Sequence, residues 1–150
     1  MSGEKKSAKR NQTEQETGSA LTERIVINRI YDARAGEGEP SGAKNFLVDR
    51  LWPRGVAKDS VELAGWPKEL TPSTELRKKF HRDVDDWDEF RSEYTAELDR
   101  SLDAGELDDA LGELREALSG SGVVALLFAG KDTEHTHAAV LREWLLRELG

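Results

Sequence analysis

Apolar residues fall into short continuous runs that are typical of β-strands. A β-branched run lies within residues 24–31, and a second apolar run covers residues 46–48. Pro53 and Gly55 end the second strand, because proline removes a ladder donor and glycine loosens the backbone. Residues 123–129 are apolar without interruption, which is the pattern of a strand covered on both faces. The sequence therefore predicts three strands, with the third in the centre of the sheet.

Longer stretches of the chain have the period of amphipathic helices. Apolar residues recur three and four positions apart in the stretches 87–102, 107–118 and 138–149. Thr71 or Ser73 can cap a shorter helix that runs to Phe80. The order of strands and helices predicts an α/β fold, a three-layer sandwich with a mostly parallel central sheet flanked by helices and joined by right-handed crossovers.

The chain divides into a polar tail and one domain. Residues 1–22 are rich in Ser, Lys, Gln, Glu and Thr, so they cannot offset the entropy lost on ordering. A chain of 150 residues can bury one hydrophobic core but is short for two domains of ordinary size. We therefore expect a disordered N-terminal tail at residues 1–22 and a single α/β domain at residues 23–150.

The amino-acid composition bears on where in the cell the protein is expected. The chain has no cysteine, which excludes disulfides, thiolate metal sites and a cysteine nucleophile, and suits a reducing cytosol. No apolar stretch is long enough to span a bilayer, and the polar N-terminus lacks the apolar core of a signal peptide. We expect a cytoplasmic protein with no membrane partner.

The charge balance bears on the class of partner. The formal net charge is −8, and residues 1–22 contribute +1 from four basic and three acidic residues, so residues 23–150 carry −9. A domain this acidic lacks the broad basic surface that binding to nucleic-acid phosphates requires. Nucleic acid is therefore an unlikely partner, whereas a local basic pocket for one small anion stays open.

Polar residues gather where the predicted strands end. In an open parallel sheet, ligands bind beyond the carboxyl ends of the strands, because loops and helix N-termini converge there. The three clusters are Tyr31, Asp32 and Arg34 after the first strand, Asp49, Arg50, Trp52 and Arg54 after the second, and Lys131, Asp132 and Thr133 after the third. If the sheet is parallel, the three clusters share one rim.

Asp49 and Arg50 interrupt an apolar strand, where burying a charge is costly unless it is paired or functional. Two interpretations stay open. The two residues form a structural ion pair that fixes the strand end, or they belong to an anion clamp. An arginine fork holds phosphate or carboxylate through two hydrogen bonds, and Lys131 lies beside a helix N-terminus that favours negative charge.

His135 and His137 are the histidines nearest this rim. Two positions along a helix correspond to about 200° around its axis, so the two side chains cannot face one ion if the helix has begun. We therefore expect no metal site. One of the two histidines can act as an acid or base near neutral pH, while the other is a solvated surface group.

Three strings of residues resemble a known family. Residues 49–55 (Asp-Arg-Leu-Trp-Pro-Arg-Gly), residues 71–77 (Thr-Pro-Ser-Thr-Glu-Leu-Arg), and Leu126-Leu127 followed by Lys131-Asp132 and His137-Ala138 resemble the YeaO-like family, in domain of unknown function 488. The likeness runs from about residue 29 to residue 144. It implies an α/β sandwich and no particular activity. Some members carry a transcriptional-regulator label, but this chain shows no winged-helix pattern or basic recognition helix.

The resemblance also ranks the two histidines and shows where this chain departs from the family. The last loop of the wider family resembles Cys-His-Arg, which aligns with residues 136–138 and favours His137 over His135. Thr136 stands where the family has cysteine or asparagine, so thiol chemistry is excluded. Asn45 stands in place of a common arginine, and Ala64 stands in place of a common acid.

The favoured interpretation is a protein that binds, and could act on, a small anionic or phosphorylated metabolite or nucleotide at the sheet rim. The catalytic candidates are His137 and Asp49, and the ligand-binding candidates are Tyr31, Asp32, Arg50, Trp52, Arg54, Lys131 and Asp132. One alternative is a non-catalytic protein-interaction module anchored by Trp52 and Trp66. Another is a nucleic-acid-associated or regulatory protein, which the acidic charge disfavours. The sequence predicts neither a cofactor nor an oligomeric state.

Overall fold

The computed structural model describes residues 20–34, 42–82 and 86–150. Residues 1–19 of the predicted tail lie outside the described residues, whereas Leu21 packs against the domain core. The carbonyl of Thr22 accepts a hydrogen bond from the guanidinium of Arg142. The last residues of the predicted tail therefore contact the domain.

Helices separate the three strands along the described part of the chain, with three helices in succession between the second strand and the third. The elements are α1 (Leu21–Arg24), β1 (Ile25–Arg29), α2 (Ile30–Arg34), β2 (Lys44–Leu47), two 3₁₀ turns (Lys58–Ser60 and Lys68–Leu70), α3 (Thr74–Arg82), α4 (Trp87–Asp103), α5 (Asp108–Ala117), β3 (Val124–Phe128) and α6 (His137–Leu149). No helix among the described residues is long and apolar enough to cross a membrane.

The sheet has three parallel strands in the order β1-β3-β2. Val124 is the partner of Ile25 on one side and of Lys44 on the other. Every residue of β3 is buried, as the uninterrupted apolar run predicted for a central strand. The predicted α/β fold with a parallel sheet is confirmed.

The two faces of the sheet are covered differently. Helices α3–α6 pack on one face, where the buried residues include Phe46, Leu126 and Tyr94. The other face has a smaller core around Leu47 and Leu127, covered by α2 and by the partly buried apolar side chains of residues 52–66. The second outer layer is mostly loop, since proline and glycine within residues 53–55 and an irregular apolar pattern do not support a long helix.

One element boundary differs from the prediction, and one choice that the sequence left open is decided. The first strand ends at Arg29 rather than Tyr31, and the chain turns directly into α2, so Tyr31 belongs to a helix. Ser73 caps α3, because its hydroxyl accepts the N–H of Leu76 at 3.1 Å. The hydroxyl of Thr71 instead donates to the Lys68 carbonyl at 2.6 Å.

Candidate functional site

The carboxyl ends of β2 and β3 meet at one edge of the sheet. The Val48 N–H donates to the Leu127 carbonyl at 2.9 Å, which continues the parallel ladder one residue beyond β2. One carboxylate oxygen of Asp49, Oδ2, accepts the N–H of Ala129 at 2.9 Å. The polar clusters predicted after the second and third strands therefore lie at the same edge.

Asp49 and His137 form a partly buried pair at this edge. Asp49 Oδ1 lies 3.0 Å from His137 Nε2, and the two side chains are 16% and 22% exposed. The same Nε2 lies 2.8 Å from the Val48 carbonyl oxygen. An ionised carboxylate and a carbonyl both accept hydrogen bonds, so this arrangement assigns the ring proton to Nε2. That proton is shared between two acceptors of the protein itself.

Helix α6 positions His137 because it begins at that residue. Thr136 is its N-cap residue, and its hydroxyl accepts the N–H of Ala138 at 3.4 Å. The hydroxyl at the position where the family resemblance implies cysteine or asparagine thus has a structural partner. Together, Asp49 and His137 join the end of β2, the end of β3 and the start of α6.

Arg50 does not pair with Asp49. Its Nε donates to the Pro72 carbonyl at 3.2 Å, and its Nη2 donates to the Thr71 carbonyl at 3.4 Å. Side chains of consecutive residues leave the chain in different directions, so Asp49 reaches His137 while Arg50 reaches the segment before α3. Asp49 and Arg50 therefore do not form an ion pair with each other, although each of them joins two segments of the chain.

Two cavities open at this edge and meet. The larger one, here called the rim cleft, has a volume of about 770 Å³ and is lined by Pro72, by residues of α3, by Phe90, and by residues 130–132 and 135–137. The smaller one, here called the side pocket, has a volume of about 260 Å³ and is lined mainly by residues 49–53. Arg77, Pro72 and His137 line both, so they lie at the junction.

The structure divides the predicted site residues into two groups. Those lining the two cavities are Asp49, Arg50 and Trp52 in the side pocket, Lys131 and Asp132 in the rim cleft, and His137 in both. Tyr31, Asp32 and Arg54 are not among the lining residues of either cavity. The hydroxyl of Tyr31 instead donates to the Arg54 carbonyl at 3.0 Å. The side chain of Arg34 lies outside the described residues.

Trp52 and Trp66 belong mainly to the second face of the sheet. Their rings pack edge to face with centroids 5.5 Å apart. The indole N–H of Trp52 donates to the Val56 carbonyl at 2.6 Å, and that of Trp66 donates to the Asp49 carbonyl at 2.7 Å. Both polar atoms are satisfied within the domain, so these tryptophans hold the loop after β2 in place.

Asp132 shapes the loop between β3 and α6. Its Oδ1 accepts the N–H groups of Glu134 and His135, each at 2.8 Å, and these bonds hold the pKa of Asp132 below its usual value. His135 Nδ1 lies 3.4 Å from Asp132 Oδ2, and its exposed ring lies against Trp87. Within the described ranges, no group of three or more acidic or histidine side chains is placed to hold a metal ion.

Arg77 is the site residue that sequence reasoning missed. Its Nε atom is buried and has no hydrogen-bond partner among the described residues. Leaving a buried donor without a partner costs about 1–3 kcal/mol, and more for a charged group. Arg77 follows buried Leu76 within the string of residues 71–77, so the resemblance already included it, but the burial of its Nε at the junction follows only from the packing of α3.

These features define a small α/β domain whose parallel sheet carries a cationic cleft at its carboxyl edge, beside an aspartate–histidine pair. The chain belongs to the DUF488-N3i family, described as the inactive DUF488-N3 subclade, whose sequence model matches residues 24–150. The predicted membership of the YeaO-like family is confirmed.

The chain is similar to uncharacterized bacterial proteins. It is 41% identical to the uncharacterized protein YeaO of Escherichia coli K12 over 121 residues, which cover 81% of this chain and 96% of YeaO. It is 37% identical to the uncharacterized protein Rv3073c of Mycobacterium tuberculosis H37Rv over 122 residues, which cover 81% and 93% of the two chains. No solved structure matches the chain.

Proposed function

We propose that this domain is a cytoplasmic protein that binds a small anionic metabolite in the rim cleft and does not convert it. The observation that carries the proposal is the buried, unpartnered Nε–H of Arg77 at the junction of the two cavities. An anion in the cleft supplies acceptors to the guanidinium of Arg77, which lines the cleft and whose Nε has no acceptor among the described residues, and charge-assisted hydrogen bonds are the stronger ones. Arginine also holds phosphate and carboxylate in a two-pronged geometry that lysine cannot offer.

The local charge supports an anion. Lys78 and Lys131 line the rim cleft together with Arg77, and the acidic residue among its lining is Asp132. The carboxylate of Asp132 is already engaged by backbone N–H groups. The cleft therefore offers an excess of positive charge to a ligand.

The acidic balance of the whole chain does not oppose this. Residues 86–118, which cover α4 and α5, contain twelve acidic and three basic residues and so carry −9. Since the whole chain carries −8, all remaining residues together sum to +1. The acidity that argues against phosphate binding is concentrated on two helices, whereas the rim cleft is formed mainly by other segments.

The volume of the rim cleft favours a small metabolite as the ligand. Pockets for small ligands have volumes of about 300–1,000 Å³, and the rim cleft, at about 770 Å³, lies inside this range. Arg50 and Trp52 line the adjoining side pocket and are proposed to contact a part of the ligand that extends past Arg77.

Binding without turnover is favoured by three observations. The family is described as an inactive subclade. The Nε2 proton of His137 is held between Asp49 and the Val48 carbonyl, and the hydroxyl of Thr136 caps α6. We therefore assign Asp49 and His137, the acid–base candidates of the sequence, to the positioning of the loops that form the cleft.

The alternatives have less support. A protein-interaction module anchored by Trp52 and Trp66 requires available indole groups, but both indole N–H groups bond within the domain. Among the large hydrophobic side chains described, Leu51 is the exposed one, at 66%, and a single exposed side chain does not make an interface. Association with nucleic acid requires a broader basic surface than one cleft.

The test uses thermal unfolding of the full chain with and without inorganic phosphate. Phosphate should raise the melting temperature of the wild type, because a ligand that binds only the folded state stabilises it, by about 2.7 kcal/mol at a hundred times its dissociation constant. Arg77→Met removes the guanidinium with its unpartnered Nε but keeps an apolar stem. It should raise the melting temperature without phosphate and abolish the response to phosphate.

Neighbouring lysines provide a matched control. Lys78 lines the rim cleft, whereas Lys79 bonds to Glu89 and Glu93 at 2.6 and 2.7 Å. Lys78→Gln should weaken the phosphate response, and Lys79→Gln, which removes the same charge one residue away, should leave it unchanged. Equal effects of the two substitutions, or an Arg77→Met response equal to that of the wild type, would show that the rim cleft is not the anion site.

A further inference from the structure

The rim cleft has an apolar part as well as the cations that favour an anionic ligand. Pro72 and Phe90 contribute apolar surface to the lining. The cations Arg77 and Lys78 both lie on α3, and Lys131 lies on the loop after β3. A bare inorganic anion at the cations makes no contact with this apolar part of the lining, where Phe90 presents the small exposed part of its ring, at 4% exposure. The ligand that fits both parts carries an anionic group on an apolar body.

The apolar part of the cleft is connected to a series of aromatic rings. The His135 and Trp87 ring centroids lie 5.1 Å apart with the rings tilted by 57°, and those of Trp87 and Phe90 lie 5.4 Å apart in a stacked arrangement at 29°. Phe90 is followed by Tyr94 at 5.8 Å. His135 and Phe90 both line the cleft, and the side chain of His135 is 57% exposed. The series therefore begins with an exposed ring in the cleft and continues into the core.

Aromatic rings arranged in this way favour a further ring over an aliphatic group of the same size. Ring pairs with centroids about 4.5–7 Å apart are attracted by their quadrupoles in offset or edge-to-face geometry, beyond the effect of buried area. The contacts within the series all lie in this range. An additional ring beside His135 and Phe90 would extend the same packing.

We propose that the ligand of the rim cleft is a flat aromatic ring that carries an anionic group. The anionic group lies at Arg77, and the ring lies against Phe90 and His135. This inference rests on the proposed function, since it names the chemical class of the anion that the cleft binds. The shared chemistry is found in aryl phosphates and in nucleoside monophosphates, which differ in the distance between ring and phosphate.

The test measures dissociation constants by isothermal titration of the full chain with matched phosphate esters. Phenyl phosphate should bind about tenfold more tightly than methyl phosphate, and also more tightly than cyclohexyl phosphate, which has the same number of carbons but no π-system. Adenosine 5′-monophosphate compared with ribose 5-phosphate makes the same comparison for a ring that lies farther from the phosphate. A ring-dependent gain in either pair supports the proposal and identifies which source the cleft fits.

Substitutions in the rim cleft test where the aromatic ring of the ligand lies. His135→Ala should reduce the affinity for the ring-bearing ester toward that of its ring-free partner and leave the ring-free affinity unchanged. Phe90→Leu should do the same, with the melting temperature reporting that the domain still folds. Glu134→Ala is the control, because Glu134 is an exposed neighbour on the same loop whose side chain is not among the lining residues.

The outcomes separate the two proposals. Equal affinities for all esters and for inorganic phosphate, each lost in Arg77→Met, would overturn the aromatic ligand and keep the anion site. Equal affinities for phenyl and cyclohexyl phosphate, with no gain for the nucleotide over ribose 5-phosphate, would also overturn it. Failure of every phosphate to bind would overturn the proposed function together with this inference.

Discussion

Removal of the Asp49 carboxylate is the perturbation with the clearest expected effect on the domain. Its two oxygens accept the N–H of Ala129 and contact Nε2 of His137 at 2.9 and 3.0 Å. Asp49→Ala therefore leaves one backbone donor without its partner and leaves the imidazole bonded to the Val48 carbonyl alone. The end of β2, the end of β3 and the start of α6 then lose the carboxylate that joins them.

The expected loss of stability in Asp49→Ala follows from the two hydrogen bonds of the carboxylate. A hydrogen bond to a charged group contributes about 1.5–3 kcal/mol, and solvent screening reduces this for the 16% exposed Asp49 and the 22% exposed His137. We expect Asp49→Ala to lower the free energy of unfolding by about 3 kcal/mol. For a domain of this size that corresponds to a melting temperature lower by roughly 10 °C. His137→Ala should cost less, because Asp49 keeps the N–H of Ala129.

The assay is a double-mutant cycle by urea unfolding, with Asp49→Ala, His137→Ala and the double variant. Contacting residues that act as a unit have coupling energies of about 0.5–3 kcal/mol, and we expect about 1.5 kcal/mol here. Asp59→Ala removes the same charge from an exposed site and serves as the control. Additivity of the two substitutions within about 0.3 kcal/mol would refute the reasoning, because it would mean that the two side chains do not stabilise each other.

Four further changes test other parts of the protein. Burial, and then the charge of Glu97, raise the pKa of Tyr94 well above its usual value of 10.0. The contribution of Tyr94 to the free energy of unfolding is therefore complete below pH 10 and is lost as the pH rises beyond it. Tyr94→Phe should not show this loss when unfolding is measured at alkaline pH. Gly112→Ala should stabilise α5 by about 0.5–1 kcal/mol because the added methyl group meets open space. Gly122→Ala should destabilise by about 1–3 kcal/mol, since its Cβ would clash with the Ala117 carbonyl oxygen; equal effects of the two glycine substitutions in thermal melts would contradict this. Deletion of residues 1–19 should leave the melting temperature unchanged, because that segment has almost no apolar side chains.

Part of the candidate site could be predicted without coordinates. The parallel sheet placed the polar residues after β2 and β3 on one edge, and the structure brings Asp49 and His137 into contact there. Tyr31 follows the end of β1, but it lies in α2, and its hydroxyl donates to the Arg54 carbonyl rather than lining either cavity. One helical turn changes the direction of the chain after Arg29, and no periodic pattern in five residues can reveal such a turn.

The amino-acid sequence by itself determined the elements. The apolar runs set the central strand, the three- and four-residue spacings set α4, α5 and α6, and the hydroxyl of Ser73 sets the start of α3. Each of these depends on interactions within a few residues, so the local pattern is sufficient to specify it.

Only the tertiary structure decided which polar groups are partners. Asp49 bonds to a residue 80 positions away, and His137 bonds to one 89 positions away. The sequence places Arg77 on a helix, but it does not say that packing buries its Nε beside a cleft with no protein acceptor. Long-range pairing depends on how the sheet order and the crossover helices bring distant segments together, and a local pattern carries no information about that distance.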